Sequence, residues 1–303
     1  MRKELVKELL GTHTINKENI VFLTGDLGYA TLEPLREILG DRFINAGVAE
    51  QNMVSMAAGL SHAGFRPWCY SIAPFMYARP FEQIRNDVVM HNRHVVMVGN
   101  GGGYGYGVMG SSHHALEDIA VMSSLGVKTY VPAFNSDMPV VVNQLLCNSE
   151  PAYLRLGVEE ITGHPWHYAP YRKLIDSTKM DTVVVATGPI IGSILKSLKV
   201  CRPKVWLVSE FPMKDVPFAL VSDCIEAENL VIVEEHKRLG GLGSQLFQEL
   251  MMEGDFDELY SGGPKITHLY ADSFDKDHKY GSQIFERKSS GLDQETIIKA
   301  IYD

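Results

Sequence analysis

Arg42–Arg85 reads RFINAGVAEQNMVSMAAGLSHAGFRPWCYSIAPFMYARPFEQIR, and its patterns run strand, turn, helix, strand, turn, helix. The short apolar run Phe43-Ile44 leads into Gly47, and Glu50 opens the next helical pattern. Met53, Val54, Met56, Ala57 and Leu60 form one broad apolar face there, so the helix is expected to pack against a sheet. A carboxylate in a first helical turn is ordinary, because free N–H groups and the helix dipole favour negative charge. Its surroundings are less ordinary. A second loop crowds Phe75, Met76, Tyr77 and Phe81 between a strand ending near Ser71 and a helix around Gln83. If that loop lies beside Glu50, the acid faces an aromatic, partly dry pocket suited to proton transfer.

Working outward, strands and helices keep alternating. Upstream, a helix near 3–11 precedes Ile20-Val21-Phe22-Leu23, which ends in Thr24-Gly25-Asp26, and then a helix carries Leu32, Leu35, Ile38 and Leu39. Downstream come a strand at 94–99, a glycine-rich loop, a helix at 114–124, a strand at 128–131, a helix at 137–147 and a strand at 152–156. This alternation predicts an α/β fold with a mostly parallel, doubly wound sheet flanked by helices. In such sheets ligands gather at the C-terminal strand ends, where Asp26, Glu50, the Phe75 loop and the glycine loop all fall. Steady period fails between 157 and 181, so 1–168 reads as a first domain and 169–180 as a surface linker. From Thr182 a second alternating unit (VVVATGPIIGSILKSL, KVWLVSE, NLVIVEE, ITHLYAD) closes with a helix at 293–302, making 181–303 a second α/β domain.

Length and composition agree with that division. The 303 residues suffice for about two domains with large cores, and 45% hydrophobic with 21% charged residues is ordinary for a soluble globular protein. A net charge of -9 argues against general affinity for nucleic acid or an anionic membrane. Cys69, Cys147, Cys201 and Cys224 form no CxxC pair, so the thiols read as reduced and the compartment as cytoplasmic. The opening MRKELVKELL is amphipathic without the apolar core of a signal peptide, and no apolar run is long enough to cross a bilayer.

Three features admit rival readings. In GNGGGYGYGVMGSSHHALEDI, Gly105, Gly107 and Gly110 spell the GxGxxG of a dinucleotide turn, although several residues separate them from their strand. Alternatively, these glycines let the backbone pass close to a neighbour and deliver His113 to the following helix, with His114 facing outward. Glu234-Glu235-His236 before Gly240-Gly241-Leu242-Gly243-Ser244 marks either an anion-binding helix start or a structural turn. His268, Asp272, Asp275, Asp277 and His278 lack metal-ligand spacing and read as a solvated loop.

The run AGVAEQNMVSMAAGL followed by YSIAPFMYARPFEQIRNDV closely resembles the pyrimidine-binding domain of transketolases, and the second unit resembles that family's C-terminal domain. The resemblance implies a thiamine-diphosphate-binding fold and thiamine diphosphate as cofactor. Glu50 matches the acid that hydrogen-bonds the cofactor's aminopyrimidine ring. Phe75, Met76, Tyr77, Arg79 and Phe81 match the loop beside that ring, Met76 standing near the position where relatives carry a stacking phenylalanine. Asp26 matches an acid near the thiazolium. Gly110-Ser111-Ser112-His113 matches an element that delivers a histidine or glutamine to the substrate, so His113 would hydrogen-bond substrate oxygens and shuttle protons. Glu50 and His113 are thus the expected catalytic residues, and the implied reaction moves a two-carbon ketol unit from a ketose to an aldehyde.

Departures from the family pattern shape the remaining expectations. Met109 replaces an acid that many relatives carry four residues before that histidine, and Leu156, Gly157 and Val158 follow Leu154-Arg155 where an arginine is common. A less polar or non-phosphorylated acceptor is expected, with Met109 at its edge and Arg2 as a possible phosphate contact. The family's Gly-Asp-Gly signature for Mg²⁺ and diphosphate is matched by neither Gly25-Asp26-Leu27 nor Gly254-Asp255-Phe256. A separate pyrophosphate-binding subunit is therefore expected to supply the Mg²⁺ ligands. Self-association through both domains would give an α2β2 assembly acting on small sugars, with no nucleic acid or membrane partner. Two alternatives stand beside this reading: the β subunit of a 2-oxo acid dehydrogenase, and a non-catalytic assembly subunit.

Overall fold

A computed structural model describes residues 1–11, 19–253, 262–271 and 279–303. Its strands are β1 (Ile20–Thr24), β2 (Phe43–Asn45), β3 (Arg66–Ile72), β4 (Val96–Asn100), β5 (Lys128–Tyr130) and β6 (Ala152–Leu156). There follow β7 (Tyr171–Ile175), β8 (Thr182–Thr187), β9 (Lys204–Val208), β10 (Glu210–Phe211), β11 (Asn229–Glu234) and β12 (Lys265–Tyr270). They form a seven-stranded sheet in the order β10-β5-β6-β4-β3-β1-β2 and a five-stranded sheet in the order β12-β11-β8-β9-β7. Pairing is parallel except for β10 against β5 and β7 against β9. The expected pair of helix-flanked, mostly parallel sheets is therefore what the chain adopts.

The apolar runs explain the layers. β1 and β8 are buried along their whole length, as strands covered on both faces must be. On one face of the first sheet, the helices Arg2–Leu10 and Met138–Cys147 enclose Phe22, Trp68, Tyr70 and Leu154. On the other, the helix Glu50–His62 buries Met53, Val54, Ala57 and Ala58 over Leu23 and Cys69, while Met56 and Leu60 are partly covered. The second sheet carries two further apolar layers in the same way.

Two strands depart from the sequence-based expectation. β7 lies inside the segment read as a linker, with Arg172 and Leu174 buried and their neighbours half exposed. Its alternating burial is that of an edge strand, but arginine and lysine within it hide the period. β10 leaves the second unit and pairs with β5 of the first sheet, Glu210 opposite Tyr130 and Phe211 opposite Thr129. Just two residues long, it has no periodic signature.

The glycine loop is a junction between the two units. Gly103 and Ala115 exchange both backbone hydrogen bonds at 2.9 Å, closing the loop at its base. Gly103 has φ of +66°, and a Cβ there would lie 2.7 Å from the Glu235 carboxyl carbon. A Cβ on Gly102 would meet Cγ of Arg155, on β6 of the same unit, at 2.6 Å, so bare backbone is needed at both positions. The helix expected at 114–124 begins later, at Asp118, because Ser111–His113 form a 3₁₀ turn and His114 is extended.

The Glu234 carboxylate takes the Leu242 and Gly243 backbone N–H groups at 2.7 and 2.9 Å and meets His268 Nε2 at 2.7 Å. The start of the helix Leu242–Glu253 thus holds an anion from its own chain, which favours the structural reading of that turn. Gly254-Asp255-Phe256 and the residues Asp272, Asp275, Asp277 and His278 lie outside the described residues. Among the described residues no helix is long and apolar enough to cross a membrane.

Candidate active site

The chain leaves β1 for β2 on one side and returns to β3 on the other, so the C-terminal ends of β1 and β3 form a switch point. Glu50 starts its helix above that crevice, after a turn in which Gly47 has φ of +71°. The carboxylate reaches back toward the strand ends. A Cβ on Gly25 would lie 3.3 Å from Glu50 Oε1, and Ser71 Oγ donates to the same oxygen at 3.0 Å. Arg79 Nη1 donates to Oε2 at 2.9 Å. Glu50 is only 3% exposed, yet each of its oxygens has a partner. Within the aromatic, partly dry setting expected for it, the acid thus also takes a charge-assisted hydrogen bond.

Arg79 connects the acid to the aromatic loop. Its guanidinium carbon sits 3.7 Å from the centroid of Phe75, on the helix Ala73–Tyr77. His113 meets the same ring edge-on, with centroids 4.9 Å apart at 70°. Glu50, Arg79, Phe75 and His113 are thus one contiguous group, drawn from three different places in the chain.

The other loop residues separate. Met76 is fully buried in the apolar layer with Met53 and Val54. Tyr77 is also buried, and its hydroxyl donates to Glu117 Oε2 at 2.8 Å. Burial, reinforced by the nearby Asp118 and Glu117 carboxylates, pushes the Tyr77 phenol far above its ordinary value. Phe75 is half-buried and Phe81 is 38% exposed. A short helix explains the split: consecutive side chains point about 100° apart, so the three successive residues cannot all face the site.

Of the two adjacent histidines, His114 does not face outward as expected. His114 is buried, with Nε2 3.1 Å from the Gly107 carbonyl and its ring edge-on to Tyr104 and Tyr280. His113 is the accessible one, with Nδ1 3.0 Å from Ser112 Oγ. Partial desolvation, then the Arg79 charge and His114, hold the His113 pKa below its ordinary value. It is accordingly neutral near pH 7.

Asp26 is exposed, has φ of +60°, and accepts a 2.8 Å hydrogen bond from Asn45 Nδ2. Met109 is 55% exposed on the glycine loop beside the still more exposed Val108. Arg2 lies by the Tyr70 hydroxyl, and Tyr70 belongs to the opposite face of the sheet from Met76 and Met53. Arg2 is therefore not brought to Glu50.

The GxGxxG glycines lead into turns rather than a helix start. The N–H groups of Gly107 and Gly110 are satisfied by the Tyr104 and Gly107 carbonyls. No anion cradle of the dinucleotide type is formed there. Among the described residues no group of three or more His, Cys, Asp or Glu side chains is placed to hold a metal ion.

Sequence reasoning missed Ser71, which fixes one Glu50 oxygen, and Glu235, which anchors the loop carrying His113. A serine closing a buried strand was the available signal for the first. Glu235 has no local signal, since its partners Tyr104, Gln283 and Arg287 are distant in sequence.

Comparison with known proteins adds four findings. Residues 3–162 match the family model described as transketolase, pyrimidine binding domain. An apulose-4-phosphate transketolase subunit of Phocaeicola vulgatus is 29% identical over 311 residues, covering 98% of this chain and 95% of that protein. The 6-deoxy-6-sulfo-D-fructose transketolase subunit SqwH of a Clostridium species is 30% identical over 246 residues, covering 78% of this chain and 76% of that one. Among solved structures, a split gene transketolase described as an inactive β4 tetramer has a TM-score of 0.79 at 26% identity, covering 99% of this chain and 95% of that chain. These likenesses do not favour the 2-oxo acid dehydrogenase reading.

Proposed function

Because the chain belongs to the transketolase family, whose members depend on thiamine diphosphate, we propose that it is the pyrimidine-binding subunit of a split transketolase. It transfers a two-carbon ketol unit from a ketose to an aldehyde, and does so only with a separate pyrophosphate-binding subunit. The single observation that carries this reading is the buried Glu50 carboxyl group beside the half-buried Phe75 ring and the accessible His113.

That set of groups fits the cofactor. A flat heterocycle with a basic ring nitrogen needs a carboxyl group as hydrogen-bond partner and an aromatic face to stack on. Glu50 and Phe75 supply both, and a flat cationic group from this chain already makes the same two kinds of contact. When bound, thiamine diphosphate supplies the electron sink for the carbon–carbon bond chemistry.

The chain's own residues do the rest. Glu50 holds a proton against the ring nitrogen, and Ser71 keeps the carboxyl group oriented through Oε1. Phe75 stacks on the ring, with Phe81 at the outer rim. Asp26, just past the end of β1, would face the cofactor's other ring. His113, neutral near pH 7, exchanges hydrogen bonds and protons with substrate oxygens. Met76 and Tyr77 support the loop from the core, and Arg2 plays no part in this cluster. Exposed Met109 and Val108 favour an acceptor with a less polar end. The partner polypeptide contributes the Mg²⁺ ligands, in an assembly with two copies of each chain.

The names of the relatives support this division of labour. Two of them are described as subunits of a transketolase, and the split-gene β4 tetramer is described as inactive. The test is to copurify the chain with its partner and assay a panel of ketoses, 2-oxo acids and aldehydes with thiamine diphosphate and Mg²⁺. Ketol transfer from a ketose is the expected result. Turnover of a 2-oxo acid alone, or no cofactor binding by the complex, would overturn the proposal in favour of one of the two alternatives.

A further inference from the structure

The Glu50–Arg79–Phe75 arrangement contains a contradiction for any ligand that uses the acid and the aromatic face together. Both are already engaged by Arg79. The guanidinium is flat, carries donors in its plane, and lies against the Phe75 ring at 3.7 Å while donating to Glu50 at 2.9 Å. A stacked ring hydrogen-bonded to the same carboxyl group would need that place.

We propose that Arg79 is an internal occupant of the ring site, standing in for the aminopyrimidine in the free chain and displaced when the ring seats. The proposal rests on the reading of Glu50 given above and goes beyond it. The two partners differ in their freedom to move. The Glu50 side chain is almost wholly buried and stays tethered to Ser71, whereas the Arg79 side chain is 44% exposed and reaches water without crossing the core. Arginine leaves; glutamate stays. With its arginine end open to water, the half-exposed ion pair and the cation–π contact are weak enough to be exchanged once the ring takes over the bond to Glu50. Together they populate a closed state, and the apparent dissociation constant for the ring is the intrinsic one divided by the open fraction that remains. Departure of the cation also removes one of the charges facing His113, whose other neighbours are His114, Phe75, Tyr106 and Ser112. Ring binding and the protonation of His113 are thereby coupled through one side chain.

The test uses the full chain and the hydroxymethyl aminopyrimidine half of thiamine as probe, followed by nuclear magnetic resonance. In the free chain the Arg79 Nε–H signal should carry a ring-current shift from Phe75, absent in Phe75→Leu. Saturation with the probe should abolish that shift, and Arg79→Ala should bind the probe about five- to tenfold more tightly. Arg79→Gln, which keeps length without charge, should behave as Arg79→Ala does, and thermal unfolding confirms that both variants fold. An Arg79 signal still shifted at saturation, or equal or weaker binding by both variants, would show that Arg79 is part of the ring's site and not its occupant. Absence of probe binding by wild type and both variants would instead remove the cofactor reading of Glu50, and this proposal with it.

Discussion

Glu235 Oε1 accepts the backbone N–H of Tyr104 at 2.8 Å, so an acid of the second unit is built into the loop that carries His113. Its other oxygen takes Arg287 Nη2 at 2.7 Å and Nε at 3.2 Å, all within the buried junction. The site's accessible histidine is therefore positioned by an ion pair from the other half of the chain.

Breaking that pair should be costly. Glu235→Ala leaves the Arg287 charge buried with Glu160 as its remaining carboxylate, and a loss of about 3–5 kcal/mol is expected in urea unfolding. Burial alone would raise the Glu235 pKa, but pairing with Arg287 and hydrogen bonds from Arg287, Gln283 and Tyr104 outweigh it and hold the group below its usual value. A depressed carboxylate stabilises the fold above the unfolded value, about pH 4.3, and that contribution is lost as pH falls through the folded value. The stability of wild type should fall steeply below about pH 4.3, with part of that slope missing in Glu235→Gln.

Glu50→Gln keeps the shape of the side chain and its bond to Ser71 but not its proton chemistry. Ketol transfer by the assembled complex should drop about 10²- to 10⁴-fold, while its thermal midpoint and its assembly with the partner stay near those of wild type. Near-normal turnover would remove Glu50 from the mechanism.

The aromatic loop offers a comparison within a few residues. Phe75→Ala should weaken cofactor binding about tenfold in a calorimetric titration, with little effect on folding. Tyr77→Phe should do the opposite. It removes the donor to Glu117, costing about 0.5–1.5 kcal/mol of stability, and leaves cofactor affinity unchanged.

His113 should report the charge beside it. Partial desolvation and then Arg79 hold its pKa below the ordinary value, so removing the cation in Arg79→Ala raises that pKa. A histidine that works in its neutral form then needs a higher pH to lose its proton. The imidazole titration of the free chain, followed by proton resonance, should move to higher pH in the variant, whereas the acid limb of ketol transfer by the cofactor-loaded complex, where the cation has already left, should stay in place.

Much of this fold was legible in the sequence because its signals are local. Val- and Ile-rich runs such as Ile20–Thr24 and Thr182–Thr187 are buried strands as read, and the helix from Glu50 buries its expected face. The candidate acid and the Phe75 loop also meet. What escaped was decided by distant partners. Phe75, Met76 and Tyr77 look alike in composition, yet helical rotation sends one outward and two into the core. His114 was expected to face outward but is buried, because Gly107, Tyr104 and Tyr280 enclose it. β10 has too few residues for a period, and Arg79 reveals its role only when both of its neighbours are in view.

The short strand Glu210–Phe211 has a practical consequence for anyone who would dissect this chain. It is sewn onto Lys128–Tyr130, so cutting the gene near residue 168 would strip the first half of a stitch and bare the hydrogen-bonding rim of Thr129 and its neighbours. The fragment bearing Glu50 would then be prone to stick to its own kind. The two halves are separate in pattern but not in tailoring, and they are best handled as one garment.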